Sequence, residues 1–216
     1  MASNPDHVIE DLAGSLRVSL TGRDLGPDDL VREALAGYPA MVAERLFPAP
    51  LVPAAVLVGI VDSATGGEVL LTRRTAHLRD HPGQISFPGG RLEPGDADPK
   101  AAAVRETHEE LGIGGEYIDV VGCLPPYAVV TGFAVSPVVA VLRAGFVMRP
   151  APDEVAEVLA LPLADLLRPD LFQRGERSVN GITLPSWSFP LGGHTVWGAT
   201  AHILHTLSEY IHAARR

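Results

Sequence analysis

The chain has 216 residues, of which 46% are hydrophobic and 20% charged, a length for one domain or at most two and a composition far from that of disordered chains. Asp and Glu number 26 against 17 Lys and Arg, a formal net charge of −9, which argues against nucleic acid as the main partner, because phosphate backbones are gripped by basic surfaces. The single cysteine, Cys123, excludes an internal disulfide and fits a reducing compartment.

In chain order, the amino terminus carries Asp6, Glu10 and Asp11 and no basic stretch followed by an apolar one, so no secretory leader is expected. Residues 1–50 read as short helical patterns, an extension expected to pack on the domain formed by residues 51–216. Within it Leu30, Val31, Ala34 and Leu35 share a face behind Asp28 and Asp29, a helix start followed by an apolar stripe. The apolar run Leu46–Val61 is too short to span a membrane and is interrupted by Pro48, Pro50 and Pro53. A cytoplasmic chain without a membrane partner is the expectation, with a homodimer left open. Ala54–Val61 and Glu68–Thr72 predict two strands joined by a hairpin loop at residues 62–67. Arg73 to Pro94 reads as a loop containing the short run Ile85-Ser86-Phe87. A helix is predicted from Asp98 as N-cap and Pro99 at the first helical position to Gly112 as the left-handed stop. Tyr117–Leu124 and Ala134–Leu142 read as strands, and Ile182–Phe189 with His194–Val196 as a second hairpin. The last helix, Ala199–Ala213, carries Ile203, Leu207, Ile211 and then Ala214 on one stripe. Strands on both sides of a central helix, closed by a terminal helix, predict an α/β chain with a mixed sheet between helices.

The central helix contains Arg105-Glu106-Thr107-His108-Glu109-Glu110. Glu106, Glu109 and Glu110 are spaced i, i+3, i+4, so the three carboxylates share one face within a turn and repel one another. A hard divalent cation with oxygen ligands, Mg²⁺ or Mn²⁺, is the natural counter-charge; a solvated acidic helix face is the plainer alternative. The loop before it, Phe87-Pro88-Gly89-Gly90-Arg91-Leu92-Glu93-Pro94-Gly95-Asp96, favours the cation, because adjacent glycines let backbone come close to a ligand and offer a carbonyl.

These residues resemble the signature of the Nudix hydrolases, Gly-x5-Glu-x7-Arg-Glu-apolar-x-Glu-Glu-x-Gly-apolar. Gly90 stands for the first glycine, and Arg105, Glu106, Glu109, Glu110, Gly112 and Ile113 match the second half. Asp96 replaces the first glutamate, eight residues rather than seven separate it from Arg105, and Thr107 occupies an apolar position. The resemblance implies a Nudix α/β/α sandwich with an amino-terminal helical extension. It implies Mg²⁺ (or Mn²⁺) held by Glu106, Glu109, Glu110 and the Gly90 carbonyl, Arg105 orienting a glutamate, and Glu109 as the candidate base. Asp96, with its shorter reach, is expected to cap or brace the loop rather than touch metal.

A second stretch resembles the subgroup of Nudix enzymes that cleave coenzyme A: Leu70-Leu71-Thr72-Arg73-Arg74, then Arg79, His81-Pro82-Gly83-Gln84 and Phe87-Pro88-Gly89-Gly90, with Thr75 as the one mismatch. Thr131–Pro137 and Val196–Ala201 also resemble subgroup segments. The resemblance implies diphosphate hydrolysis of coenzyme A or its thioesters to 3′,5′-ADP and a 4′-phosphopantetheine species, with Arg74, Arg79, His81 and Gln84 as substrate-binding candidates. Arg73, Arg74, Arg79 and Arg91 face a single acid, Asp80, between residues 70 and 91, a local basic stretch suited to phosphate or simply to solvent. Rival readings are the same chemistry on ADP-ribose, a dinucleotide or a nucleoside triphosphate, and a non-catalytic Nudix binding module. Glu154 and Glu157 stand where some Nudix enzymes place a further ligand or base; exposed or helix-capping carboxylates are the alternative. His202, His205 and His212 read as imidazoles on a solvated helix face, Cys123 as a core thiol, and Trp187 and Trp197 as core or pocket walls.

Overall fold

The computed structural model describes residues 5–22, 25–47, 49–62, 66–78 and 81–215. Three helices open the chain, α1 (Pro5–Ser19), α2 (Pro27–Leu35) and α3 (Ala40–Leu46). The strands β1 (Val52–Val61), β2 (Glu68–Arg74), β3 (Ile85–Ser86) and β4 (Gly89–Arg91) lead to the central helix α4 (Pro99–Leu111). After it come β5 (Ile118–Cys123), β6 (Tyr127–Val129), β7 (Phe133–Leu142) and β8 (Val155–Pro162), then the short α5 (Leu163–Leu166), β9 (Gln173–Val179), β10 (Ile182–Leu191), β11 (His194–Trp197) and α6 (Gly198–Ala214).

The main sheet runs β3-β2-β1-β7-β5, with β4 also paired to β1, β6 to β7 and β8 to β2. It is mixed: β1 and β7 are parallel over their whole length, from Val52↔Phe133 to Val61↔Leu142, and the other pairs are antiparallel. Its strands read as continuous apolar runs because both faces are covered. Ala54, Val58 and Ile60 of β1 join Val135 and Val139 of β7 in a core beneath α1 and α6. The intervening Ala55 and Leu57, with Val138, Ala140 and Leu142, pack on the other face against Ala102, Ala103 and Leu111 of α4. The period-two alternation of the strands thus sorts one apolar sequence into two cores. A third core holds Leu30 and Ala34 of α2 and Leu46 of α3 against Ala128 and Ala134, as the stripe in residues 30–35 predicts.

The α4 boundaries follow the expected chemistry. Asp98 accepts from the Ala101 N–H at 2.8 Å, and Gly112 ends the helix at φ +69° with its N–H on the His108 carbonyl. Thr107, at a position where the family pattern has an apolar residue, is fully buried and donates to the Ala103 carbonyl at 2.7 Å, so its hydroxyl costs the core little.

Several elements depart from expectation. Residues 73–94 are not all loop, since β3 and β4 lie within them; β6, β8 and β9 are also strands that local sequence does not announce. The polar segment Gln173–Val179 is extended because it pairs with β10 from Val179↔Ile182 to Gln173↔Ser188, in a three-stranded sheet ordered β11-β10-β9. The histidines of α6 are not on a solvated face. His202 stacks on Tyr127 with centroids 4.2 Å apart, His205 lies parallel to Trp187 at 4.0 Å, and the His212 Nε2 is buried; the second sheet and β6 cover what the isolated helix would expose. Trp197 is 44% exposed and carries Arg177 over its ring, so it is not core, whereas Trp187 and Cys123 pack inside as expected. Among the described residues no helix is long and apolar enough to cross a membrane.

Candidate active site

The site is built where β4 passes between β1 and α4. Pairing Ala54↔Arg91, Ala55↔Gly90 and Val56↔Gly89 pins the two glycines to the central strand. A Cβ at Gly89 would overlap the Ala55 carbonyl and the Val56 Cα, and one at Gly90 would strike the Glu106 carboxylate. Glycine is therefore required at 89 by the backbone of the strand, and at 90 any side chain would push the Glu106 carboxylate away. The result puts the Gly90 backbone directly against Glu106.

Arg105 organises the carboxylates. Its Nε and Nη2 donate to the two Asp96 oxygens at 3.1 and 3.0 Å, its Nη1 donates to Glu106 at 2.9 Å and Glu109 at 3.1 Å, and its Nη2 also reaches the Arg91 carbonyl at 3.0 Å. Every nitrogen of the guanidinium is engaged, which pushes its pKa up, chiefly through Asp96. Asp96 also accepts the Glu93 N–H at 2.8 Å, and the Arg105 hydrogen bond holds its carboxyl below the usual range. Asp96 thus braces the loop and fixes Arg105. One residue further from Arg105 and one methylene shorter than the family's glutamate, it still makes a bidentate fork.

The three helix glutamates are not equivalent. The Glu109 side chain is 55% exposed and leans on Arg105. Glu106 is raised above its usual pKa by burial, with Arg105 opposing and Glu109 and Glu154 adding repulsion. Glu110 is 3% exposed and accepts the Gly89 N–H at 3.3 Å. Burial, reinforced by Glu154 and Glu106, pushes it up to about 7. Glu154, one of the two carboxylates that the sequence left undecided, is close enough for both glutamates to feel its charge. Glu157 turns away to Arg73 at 2.9 Å and His194 at 3.8 Å.

Hard oxygen donors, buried and mutually repelling, with a carbonyl-bearing glycine against one of them, are a donor set that suits a magnesium-class cation. Among the described residues no three His, Cys, Asp or Glu side chains stand close enough to hold a cation as they are placed; the Arg105 guanidinium lies between Glu106 and Glu109.

Beside this face opens a cleft of about 290 Å³, lined by Gly89, Gly90, Ser86 and Arg74 and by Val129, Thr131, Phe133 and Ala199. Of the substrate-binding candidates, Arg74 and His81 line it. Gln84 contributes its carbonyl to the Arg74 N–H at 2.9 Å and is not in the lining. Arg79 lies outside the described residues. The basic stretch is otherwise divided: Arg73 pairs with Glu157 and Arg91 lies over the Phe133 ring at 5.4 Å. Arg74 keeps a buried Nε without a hydrogen-bond partner. The walls Ala54, Val56, Val129 and Phe133 are missed as site residues by sequence reading, because an apolar side chain beside a cleft carries the same signal as one in the core.

A model described as the NUDIX domain matches residues 51–182. The chain is 39% identical over 158 residues to a protein of Enterobacter sp. described as the uncharacterized Nudix hydrolase NudL, and 42% identical to that of Cronobacter sakazakii. In both cases 73% of this chain and 82% of the relative are covered. Among solved structures, the NUDIX domain of Shewanella oneidensis NrtR complexed with ADP ribose is 18% identical, with a TM-score of 0.47 over 82% of this chain and 96% of that one. A C. elegans Ap4A hydrolase binary complex is 27% identical, with a TM-score of 0.45 over 53% and 83%. The domain match spans well over half of the sequence and agrees with the relatives and with the glycine-helix geometry, so the chain belongs to the Nudix family and is a hydrolase of diphosphate bonds.

Proposed function

We propose that the chain is a Mg²⁺-dependent diphosphatase of coenzyme A or its thioesters, releasing 3′,5′-ADP and a 4′-phosphopantetheine species. The observation that carries a phosphate-rich ligand is Arg74: its Nε is buried without a partner on the wall of the cleft that Gly89 and Gly90 also line. A buried donor left unmade costs about 1–3 kcal/mol, and a phosphate in the cleft would add a charge-assisted bond to the same guanidinium. The match of Leu70–Gly90 to the coenzyme A subgroup supports that particular diphosphate.

In this reading Glu106, Glu109, Glu110 and the Gly90 carbonyl hold Mg²⁺ (or Mn²⁺), which supplies charge stabilisation at the bridging diphosphate and a more acidic water when bound. Arg105 acts as a positioning residue, holding Glu106 and Glu109 in one orientation while Asp96 fixes Arg105 in turn. Glu109, the most exposed of the three, is the base that accepts a proton from the attacking water. Arg74 draws the diphosphate towards Glu110 and offsets part of the charge gathered there.

The test is a screen of coenzyme A, dephospho-coenzyme A, ADP-ribose, a dinucleoside polyphosphate and nucleoside triphosphates with Mg²⁺, products identified by mass. Coenzyme A should give the highest kcat/KM, with 3′,5′-ADP among its products. A higher kcat/KM on ADP-ribose, a dinucleotide or a triphosphate would refute the coenzyme A reading; no turnover on any of them would favour a binding module.

A further inference from the structure

Away from the cleft, the second sheet ends in an unpaired edge. In the order β11-β10-β9 no strand lies beyond β9 among the described residues, and Gln173 to Ser178 are all exposed. We infer that this edge pairs antiparallel with the same edge of a second copy of the chain, about a two-fold axis at Gly175. The inference is independent of the substrate reading.

The turn decides which backbone groups point outward. Val179 and Ile182 stand opposite each other across Asn180 and Gly181, whose φ values of 51° and 76° are those of a tight two-residue hairpin turn. The pair that closes such a turn exchanges both backbone bonds, and bonded and non-bonded pairs alternate from there. Val179, Arg177, Gly175 and Gln173 therefore bond to β10, while Ser178, Glu176 and Arg174 turn their N–H and C=O groups away from it. Pro185 agrees with this phase: it lies opposite Glu176, where the pair exchanges no bonds and a missing N–H costs the ladder nothing. Arg45 donates to the Asn180 carbonyl at 3.0 Å, and the Asn180 amide donates to the Arg45 carbonyl at 2.7 Å. The turn is thus tied to α3, and the edge is ordered before a partner arrives.

Charge selects the partner and the register. Neither Arg174 nor Glu176 joins an ion pair among the described residues. An axis at Gly175 sets Arg174 opposite the partner's Glu176, and Glu176 opposite the partner's Arg174, so both outward-bonding pairs are also oppositely charged. Moving the axis by one residue either way sets Arg174 or Glu176 against its own copy, which is destabilising. Charges on an edge repel most foreign strands; these are matched to their own copy. Gly175 has no positive φ, and a Cβ there would meet nothing within 4 Å, so nothing inside one chain calls for glycine. On the axis, where facing Cα atoms approach to about 4.5 Å, it leaves room for Gln173 and the partner's Arg177 on the same face. The contact is isologous and closes at two copies.

A ladder of seven residues is small beside the about 1,200–2,000 Å² of a standard interface, so the dimer is reversible. Sedimentation of the full chain from about 1 µM to 1 mM should show a monomer–dimer equilibrium that weakens with salt. Arg174→Glu and Glu176→Arg each make both charged pairs like-signed, and each alone should raise the dimer Kd at least about tenfold. Mixed in equal amounts, the two variants should pair with each other at roughly wild-type strength, because every acid then faces an arginine. Melts check folding; should either variant fail to fold, the double variant R174E/E176R, which restores opposite signs, should dimerise like wild type. A wild type that stays monomeric throughout, a dimer unmoved by both single variants, a mixture that does not recover, or a folded double variant that stays monomeric overturns the inference.

Discussion

Glu110→Gln separates the electrostatic cost of the site from its chemistry. Glu110 is 3% exposed, and its burial, with the charges of Glu154 and Glu106 nearby, raises its pKa from 4.5 to about 7. A folded-state pKa above the unfolded one means that the native state binds the proton more tightly. The associated stability is fully present below about pH 4.5 and is lost as pH rises to about 7. At 1.36 kcal/mol per pKa unit, the metal-free protein carries about 3 kcal/mol of strain from this one carboxylate at neutral pH. Glutamine keeps the shape and an oxygen for the Gly89 N–H while removing the charge.

In EDTA the variant should therefore melt higher than wild type by roughly 6–12 °C at about pH 8, taking 2–4 °C per kcal/mol for a chain of this size. The gap should shrink towards zero at about pH 5, where wild-type Glu110 is protonated. Glu106 is raised chiefly by its own burial and titrates in both proteins, so the difference reports Glu110 together with its repulsion of Glu106. Saturating Mg²⁺ should then raise the wild-type Tm more than that of the variant, and turnover of the variant should fall by at least about 10–100-fold. Melting curves whose difference is independent of pH would refute the charge argument, and a folded variant of near-normal activity would refute the ligand assignment.

Three other substitutions test neighbouring links. Asp96→Ala removes the bidentate partner of Arg105 and the acceptor of Glu93 N–H; a loss of about 1.5–3 kcal/mol at neutral pH is expected from thermal melts. That loss should fade as pH falls below the carboxylate range, because the Asp96 pKa is lowered; an unchanged Tm at neutral pH refutes the brace. Arg74→Ala should raise KM by roughly 10–150-fold for coenzyme A and dephospho-coenzyme A alike, because Arg74 lines the cleft with Gly89 and its charge reaches Glu110; a loss confined to coenzyme A would place it on the 3′-phosphate instead. Gly89→Ala should destabilise by at least about 1–3 kcal/mol in denaturant titration, since its Cβ meets backbone of β1 that cannot step aside; a neutral effect would mean that β4 can shift.

What the sequence makes legible is what local physics decides. Asp98, Pro99 and Gly112 mark the ends of α4 by capping alone, and the spacing of Glu106, Glu109 and Glu110 places them on one turn before any tertiary contact exists. Leu30 and Ala34 are buried where their stripe says. Partner-dependent features stay hidden. Val155–Pro162 contains Ala, Glu and Leu that suit a helix, yet it is a strand because β2 supplies a ladder from Val155↔Arg74 to Pro162↔Glu68. His202 and His205 read as surface residues because nothing within α6 reveals that Tyr127 and Trp187 will cover them. The walls of the cleft are hidden for the opposite reason: Val129 and Phe133 look like any core residue until the fold leaves space beside them.

The distribution of charge across the site follows one logic. Arg105 is the counter-ion that the sequence itself supplies, and all of it is spent on Asp96, Glu106, Glu109 and the Arg91 carbonyl. It offsets the carboxylates on its own side of α4 and leaves Glu110, on the buried side, with a backbone N–H, the more distant charge of Arg74 and two repelling glutamates. A second internal arginine there would relieve the repulsion and stabilise the fold, but on the proposed reading it would also fill the position of the cation. Natural proteins keep strain where function requires an incomplete site, and the incompleteness here has a sign: it lacks positive charge. The glycines complete the argument, since Gly90 brings a carbonyl-bearing backbone against Glu106 with no side chain between them. Oxygen donors and unbalanced negative charge converge on one turn of one helix, beside the glycines that line the cleft, which is where, on the proposed reading, a diphosphate bound with its metal would restore neutrality.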